Sequence, residues 1–491
     1  MQLLKRSDLP SQTRAAGLQE MTRFAGEVRG VLRGFIDQLE NKHRSGWSGT
    51  ETARTCSAGI ETVVIHLYET LRGWLGGEAK RAPTIVALGG FGRRELSPKS
   101  DVDLLFLTSS RGSKRAQVFT GYLVRMLWDS GLELGHSVRS LSELRRAIKT
   151  DLDLKTALLD GRWLCGDEDL KADLAMLKTL VREADGGELL EGKLAETRRR
   201  WNKYGGSYHL IEPNIKESPG GLRDYQTMRW IGMVLPWAGT LEGLYRLAVI
   251  DRGEIRDVQK AFDFLLRTRN ELQFQSQRNW NILTVEVQRS IAAGLGYEEM
   301  GGFLPVERFM SDYYSHSRSI YRALERFLAE TRGRGALRIF DGALYRRVGT
   351  RRLDRLDLRL RRDKLEEDPL FVFKEQLKSG RRLSPHLERR IRSRLGRDKV
   401  DAVTARKMRA SFCELLEMPG RKAHVIRSMH ELGVLKHIFP PFDRLTCLKR
   451  YDLYHHYTAD EHSLKAVFQL EELGEMEGGL LARLYNEVAE K

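Results

Sequence analysis

Apolar positions near the start of the chain recur with a helical period. Met21, Phe24, Val28, Val31, Leu32, Phe35, Ile36 and Leu39 fall three or four residues apart, which puts them on one helix face. A second helix is expected over 58–75. The pattern then changes. Pro83 introduces TIVALGG, a short apolar run that ends in a glycine turn, and DVDLLFL follows at 101–107. Both read as buried strands. A helix is expected over 116–130 and a third strand at LELGHSVR, 132–139. Strand, glycine loop, strand, helix and strand make a small mixed unit.

From about 141 to 335 the spacing is helical, most clearly at 251–275 and 306–328. Residues 330–365 are rich in Arg and Gly and read as a connector with one or two short strands. Residues 366–450 are helical again, broken at Pro385, Pro419 and Pro440-Pro441. The expectation is an α+β protein, a small mixed-sheet domain followed by a mostly helical region. The segments are drawn as 1–150 (the sheet domain with N-terminal helices), 151–335 (helical), 336–445 (connector with short strands and helices) and 446–491.

Composition narrows the class. Of 491 residues, 41% are hydrophobic and 31% charged, as in an ordinary folded protein. No run approaches the roughly 18 apolar residues of a membrane helix, and the N-terminus lacks a signal-peptide core. Cys56, Cys165, Cys413 and Cys447 lie far apart and form no CxxC pair, which fits a reducing cytoplasm. The expected location is cytoplasmic, with no membrane partner. The net charge of +16 points to acidic partners without choosing among them. The Arg-rich stretches 351–362 and 389–397 read as solvated faces. No aromatic–basic RNA platform is evident, so a nucleic-acid partner is disfavoured.

Candidate chemistry concentrates in 88–107, LGGFGRRELSPKSDVDLLFL. A glycine turn after a buried strand lets phosphates approach backbone N–H groups with no Cβ in the way. Side chains alternate along a strand, so Asp101 and Asp103 share one face while Val102 and Leu104 point to the core. Two adjacent carboxylates repel unless a cation sits between them, and Mg²⁺ is commonly held by one or two carboxylates plus substrate phosphates. A pair of such ions can stabilise both the attacking and the leaving oxygen at the α-phosphorus.

The same segment resembles the signature of the DNA polymerase β-like nucleotidyltransferase superfamily. In the form GGFGRRELSPKSDVDLL it resembles one branch, the bacterial uridylyltransferases of the signalling protein PII. GLELGHSVRSLSEL (131–144), LLDGRWLCGD (158–167), NIKESPGGLRDYQTMRWI (214–231), VERFMSDYYSHSRSIYRAL (306–324) and YDLYHHYTADEHSL (451–464) are similar to blocks of that branch, in its order. The resemblance implies transfer of UMP from UTP to a tyrosine of a PII-type protein, with Mg²⁺ as cofactor. Gly89 and Gly90, helped by Ser100, would cradle the triphosphate, and Asp101 and Asp103 would bind metal. Glu133, between Leu132 and Leu134, is the candidate third carboxylate. Arg93 has two readings, a phosphate ligand or a tie within the loop. The block with Lys216, Glu217, Gly220, Gly221, Arg223 and Asp224 reads as a loop over the nucleotide or an interdomain latch, with Lys216 and Arg223 as nucleotide contacts.

The chain departs from the family pattern in two places. RNELQ (269–273) has Gln273 where the family tends to have His. DEHSL (460–464) resembles the opening of an HD-type phosphohydrolase domain, with His462 at its first ligand position, and no later His-Asp pair follows. His455 and His456 lie nearby. The expectation is a chain that adds nucleotides without removing them and without a glutamine response. Base preference and acceptor are not readable from the residues alone. A nucleotidyltransferase acting on another acceptor and a non-catalytic nucleotide-binding module stand as alternatives.

Overall fold

The computed structural model describes residues 3–11, 17–76, 82–109, 114–183, 186–204, 207–234, 252–276, 278–333, 355–356, 368–395, 400–448, 458–475 and 481. The two N-terminal helices form, and both outrun their apolar stripes: α1 spans Leu18–Arg44 and α2 Gly49–Leu75. The early start of α2 has a local cause. The Ser48 side chain accepts from Glu51 N–H while the Glu51 side chain accepts from Ser48 N–H, a reciprocal cap that satisfies two otherwise orphaned donors.

The sheet has four strands in the order β3-β2-β1-β4. They are β1 (Thr84–Ala87), β2 (Val102–Thr108), β3 (Leu134–Ser140) and β4 (Arg162–Cys165). Strand β1 runs antiparallel to both β2 and β4, and β2 runs parallel to β3. The glycine turn after β1 closes into a single helical turn, α3 (Gly89–Gly92). Helix α4 (Lys114–Asp129) connects β2 to β3. Strand β4 is unforeseen by the apolar pattern and comes from beyond residue 150, so the sheet draws on both of the first two sequence segments.

Both faces of the sheet are covered. Ile85, Ala87, Val102, Leu104 and Phe106 pack with α1, α2 and α4. Val86, Leu105 and Leu107 pack against Leu144 of α5 (Leu141–Ala147), Leu158 of α6 (Leu152–Asp160) and Leu170, Leu174 and Leu177 of α7 (Glu168–Glu183). Burial on both sides explains why LLFL reads as continuous rather than alternating. Asp103 lies on the second face, at the end of the strand where this cover stops.

The helical part of the same unit contains α8 (Gly186–Lys203), α9 (Leu222–Val234), α10 (Arg252–Gln275) and α11 (Val285–Gly294), followed by the start of α12 (Pro305–Gly333). Helix α10 meets the start of α2 closely. The Asp263 carboxylate accepts from Gly49 and Thr50 N–H at 3.2 and 2.8 Å, and a Cβ at Gly49 would lie 2.1 Å from Asp263 O.

The chain divides into two compact units, one of 1–208, 212–306 and 316–327, the other of 209–211, 307–315 and 328–491. In the second unit a short parallel pair joins Arg355–Leu356 to Arg382–Leu383. Leu370, Phe373, Leu387, Met408, Phe412, Leu415 and Met429 belong to its core. The 389–397 basic stretch falls largely on the helix Pro385–Arg394. Apart from 355–356, the 351–362 stretch lies outside the described residues, as do most of 330–365 and His455 and His456.

His462 is exposed on the helix Ala459–Glu475. Its neighbours are engaged elsewhere. Asp460 meets His430 at 3.1 Å, and Glu461 takes both ends of Arg427 at 2.9 and 3.2 Å. Burial opposes the Asp460 charge, yet hydrogen bonds from His430 and Thr458 hold its carboxyl well below the usual range. Among the described residues no three His, Cys, Asp or Glu side chains are grouped to hold a metal, and no helix is long and apolar enough to cross a membrane.

Candidate active site

Asp103 sits in a slot made by two glycines. It pairs with Gly135 across the parallel strands, where an added Cβ would lie 2.4 Å from its Oδ1. On the other side a Cβ at Gly89 would lie 2.7 Å from Oδ2. Gly89 also has φ +53°, a conformation that glycine enters at little cost. Gly89 therefore serves both the turn and the carboxylate. Gly92 is tighter still, since its Cβ would lie 2.4 Å from Asp160 O, so it seats the turn against the end of α6.

Gly90 differs. A Cβ there would meet only Glu95 O at 3.7 Å and an Arg93 nitrogen at 3.9 Å. The protein itself leaves room for a Cβ at this position. If phosphates lie against it, Gly90→Val is expected to keep its melting temperature within a few degrees and to weaken nucleotide binding at least tenfold, about 1.4 kcal/mol. Calorimetric titration with UTP, run beside thermal denaturation, checks both halves. Unchanged affinity would place the phosphates elsewhere.

Asp101 comes one residue before β2 and is exposed. Burial, then the charge of Asp101, raises the Asp103 carboxyl above its ordinary value, while Lys216, Arg93 and Arg223 pull it back. The pair thus carries a repulsion that a shared divalent cation would relieve, and the hard oxygen donors suit Mg²⁺. On this observation Asp101 and Asp103 fit a metal.

A cluster of cations stands beside the pair. Burial and the neighbouring Arg223 and Arg269 push Lys216 down to about 8. Burial and Arg93 push Arg269 down to about 10. Arg269 is buried, donates to Asn281 Oδ1 at 2.7 Å and to Ser97 Oγ at 3.4 Å, and among the described residues has no carboxylate within ion-pair distance. Cations crowded enough to lower one another's pKa mark a place that favours an anion. Sequence reasoning singled out Lys216 and Arg223 and missed Arg269, which is 53 positions beyond Lys216, although it opens the RNELQ block that was read only for Gln273.

The remaining residues fall into place around this centre. Arg93 is buried against Glu95 and Asp160, each at 2.6 Å, so two of its nitrogens are committed to a tie within the fold. Glu95 also accepts from Gln226 and Arg229, and Asp160 from Trp230 Nε1 at 2.8 Å. Through these bonds α9 holds the glycine turn. Ser100 Oγ donates to Gln273 Oε1 at 3.3 Å. Glu133 is exposed at the entry to β3, and its carbonyl accepts from Val102 N–H. Strand alternation puts it on the Gly135 side of the sheet.

The 214–224 block is a wound loop. Asn214 Oδ1 accepts from Lys216 and Glu217 N–H, while Leu222 and Arg223 N–H return to Ile215 and Lys216 carbonyls. Gly220 has φ +76°, and a Cβ there would lie 2.2 Å from Ser317 O. Asp224 is fully buried and accepts from Arg200, Trp201 and Gly220 N–H at 2.6, 3.1 and 2.7 Å. The loop's frame is thus structural, and the same frame carries Lys216 and Arg223 to the carboxylate pair.

A glycine turn leading to a strand that carries one carboxylate, with a second just before it, on a small mixed sheet, is the arrangement of the nucleotidyltransferase class. Residues 188–328 match the family model described as GlnD PII-uridylyltransferase. Relatives named bifunctional uridylyltransferase/uridylyl-removing enzyme are 31% identical in Cereibacter sphaeroides (94% of this chain, 51% of the relative), 31% in Phenylobacterium zucineum (94% and 52%) and 30% in Novosphingobium aromaticivorans (95% and 53%). Over the length it shares with them, the chain is similar to these uridylyltransferase/uridylyl-removing enzymes. It spans about half the length of these curated relatives.

Proposed function

We propose that this chain transfers UMP from UTP to a tyrosine of a PII-type signalling protein, with Asp101 and Asp103 as the metal-binding pair. The observation that carries the reading is the Asp103 carboxylate, seated between Gly89 and Gly135, with Asp101 beside it and Lys216, Arg93 and Arg223 close enough to act on its charge. The names of the relatives support the reaction class, transfer of a uridylyl group.

In this reading the open surface of Gly90 and the first N–H groups of α3, which have no intrahelical partner, receive the triphosphate. Lys216, Arg223 and Arg269 balance its charge, and Arg93 holds the turn. Mg²⁺ held by Asp101 and Asp103 would neutralise charge building on the α-phosphate and the entering oxygen. The tyrosine oxygen forms a bond to the α-phosphorus, the bond from that phosphorus to the bridging oxygen breaks, and pyrophosphate leaves. Glu133, the proposed third carboxylate, is exposed and takes the hydroxyl proton.

Two experiments bear on this. α-Labelled UTP, ATP and CTP offered with a PII-type acceptor should label the acceptor from UTP, and an acceptor with its tyrosine changed to Phe should stay unlabelled. Equal labelling from ATP or CTP would overturn the base assignment. The second concerns pH. Lys216 loses its proton near pH 8 in the free protein, and bound phosphates would raise that value. UTP affinity should therefore be full below pH 8 and fall as pH rises through it, whereas Lys216→Arg should bind with a flat profile to pH 9. A wild-type profile flat to pH 9 would remove Lys216 from the phosphate site.

A further inference from the structure

Asp103 is fixed by the ladder and by its glycine slot, but Asp101 lies outside the ladder. Asn279 Nδ2 donates to Asp101 Oδ2 at 3.4 Å. Asn279 Oδ1 in turn accepts from Gln273 Nε2 at 2.9 Å and from Asn281 Nδ2 at 3.4 Å. Gln273 Oε1 accepts from Lys99 N–H at 3.0 Å and Ser100 Oγ at 3.3 Å. Gln273 is therefore bonded to the two residues that precede Asp101 and, through Asn279, to its carboxylate. Its side chain is fully buried, where an unmade amide hydrogen bond costs about 1–3 kcal/mol. That cost sets the direction of the chain of bonds. The Gln273 oxygen faces two donors, the Asn279 oxygen is filled by two amides, and only the Asn279 NH₂ is left to face Asp101.

We propose that Gln273 and Asn279 are positioning residues that fix the orientation of the Asp101 carboxylate, with one oxygen occupied and the other left for the divalent cation. The proposal rests on the reading of the Asp pair as a metal site, and it gives α10 the task of setting that site from outside the sheet. Partners that orient metal ligands without touching the metal are commonly worth 10- to 100-fold in affinity.

The test reads metal binding rather than transfer. Mn²⁺ is titrated into the full chain without nucleotide, and free Mn²⁺ is followed by electron paramagnetic resonance. Wild type should bind, Asp101→Asn should lose binding, and Gln273→Leu and Asn279→Ala should each bind at least tenfold more weakly. Gln273→His keeps one donor and one acceptor and should recover most of the affinity. UTP binding measured in EDTA should be unchanged in Asn279→Ala, whose loop position makes it the informative variant if Gln273→Leu does not fold. Mn²⁺ affinity in a folded Asn279→Ala within twofold of wild type would overturn the proposal, as would absence of Mn²⁺ binding by wild type. Mn²⁺ binding that follows these expectations, in a chain that transfers no UMP, would sink the proposed function and leave this inference standing.

Discussion

Asp103→Asn should lose at least a thousandfold in transfer rate while melting at the wild-type temperature or slightly above it. A thousandfold corresponds to about 4 kcal/mol of transition-state stabilisation, within what metal and electrostatic contacts supply. The stability half follows from the raised Asp103 carboxyl. A carboxyl whose folded value lies above its unfolded value takes up a proton more readily in the folded state. Its charge therefore opposes folding at neutral pH, and the opposition fades as pH falls through the raised value. Asn keeps the shape and removes both the charge and the repulsion from Asp101. The variant should also show a flatter dependence of stability on pH just above the ordinary carboxylate range. Rates within tenfold of wild type, measured on a folded variant, would remove Asp103 from the chemistry.

Arg93→Met should unfold the glycine turn's anchorage rather than merely weaken a phosphate contact. The Arg93 side chain is 6% exposed and Asp160 is not exposed at all. Removing one partner of a buried pair leaves the other charge stranded, at a cost of about 3–5 kcal/mol. The stranded Asp160 would keep Trp230 Nε1 and a distant Arg229, 3.8 Å away. Denaturant titration should show the loss, and adding Asp160→Asn to Arg93→Met should recover part of it. A variant that is fully stable yet binds UTP poorly would favour the phosphate-ligand reading of Arg93.

How far this was legible in the sequence depended on range. The strand–turn–strand core and the α+β class follow from local periodicity, which acts over a few residues; the same periodicity placed Asp101 on the strand with Asp103, whereas β2 begins at Val102 and leaves Asp101 outside the ladder. The start of α2 was legible too, in Ser48-Gly49-Thr50-Glu51, and went unread because the apolar stripe began later. Strand β4 is four residues between two glycines, Gly161 and Gly166, too short for any period to register. Gly135 looks like an ordinary strand glycine until the register sets it beside Asp103. Arg93 was ambiguous because its deciding partner, Asp160, is 67 residues away. Gln273 meets Ser100 across 173 residues, and no local pattern encodes that meeting.

The measurement that tests the central claim most directly follows the two ends of the triphosphate. UTP labelled at the α-phosphorus or at the γ-phosphorus is incubated with the chain, Mg²⁺ and a PII-type acceptor. Nucleotidyl transfer predicts that α-label stays on the acceptor, that γ-label leaves as pyrophosphate in equal amount, and that both signals vanish in Asp101→Asn. Label from the γ-phosphorus on the acceptor, or α-label transferred undiminished by Asp101→Asn, would contradict it.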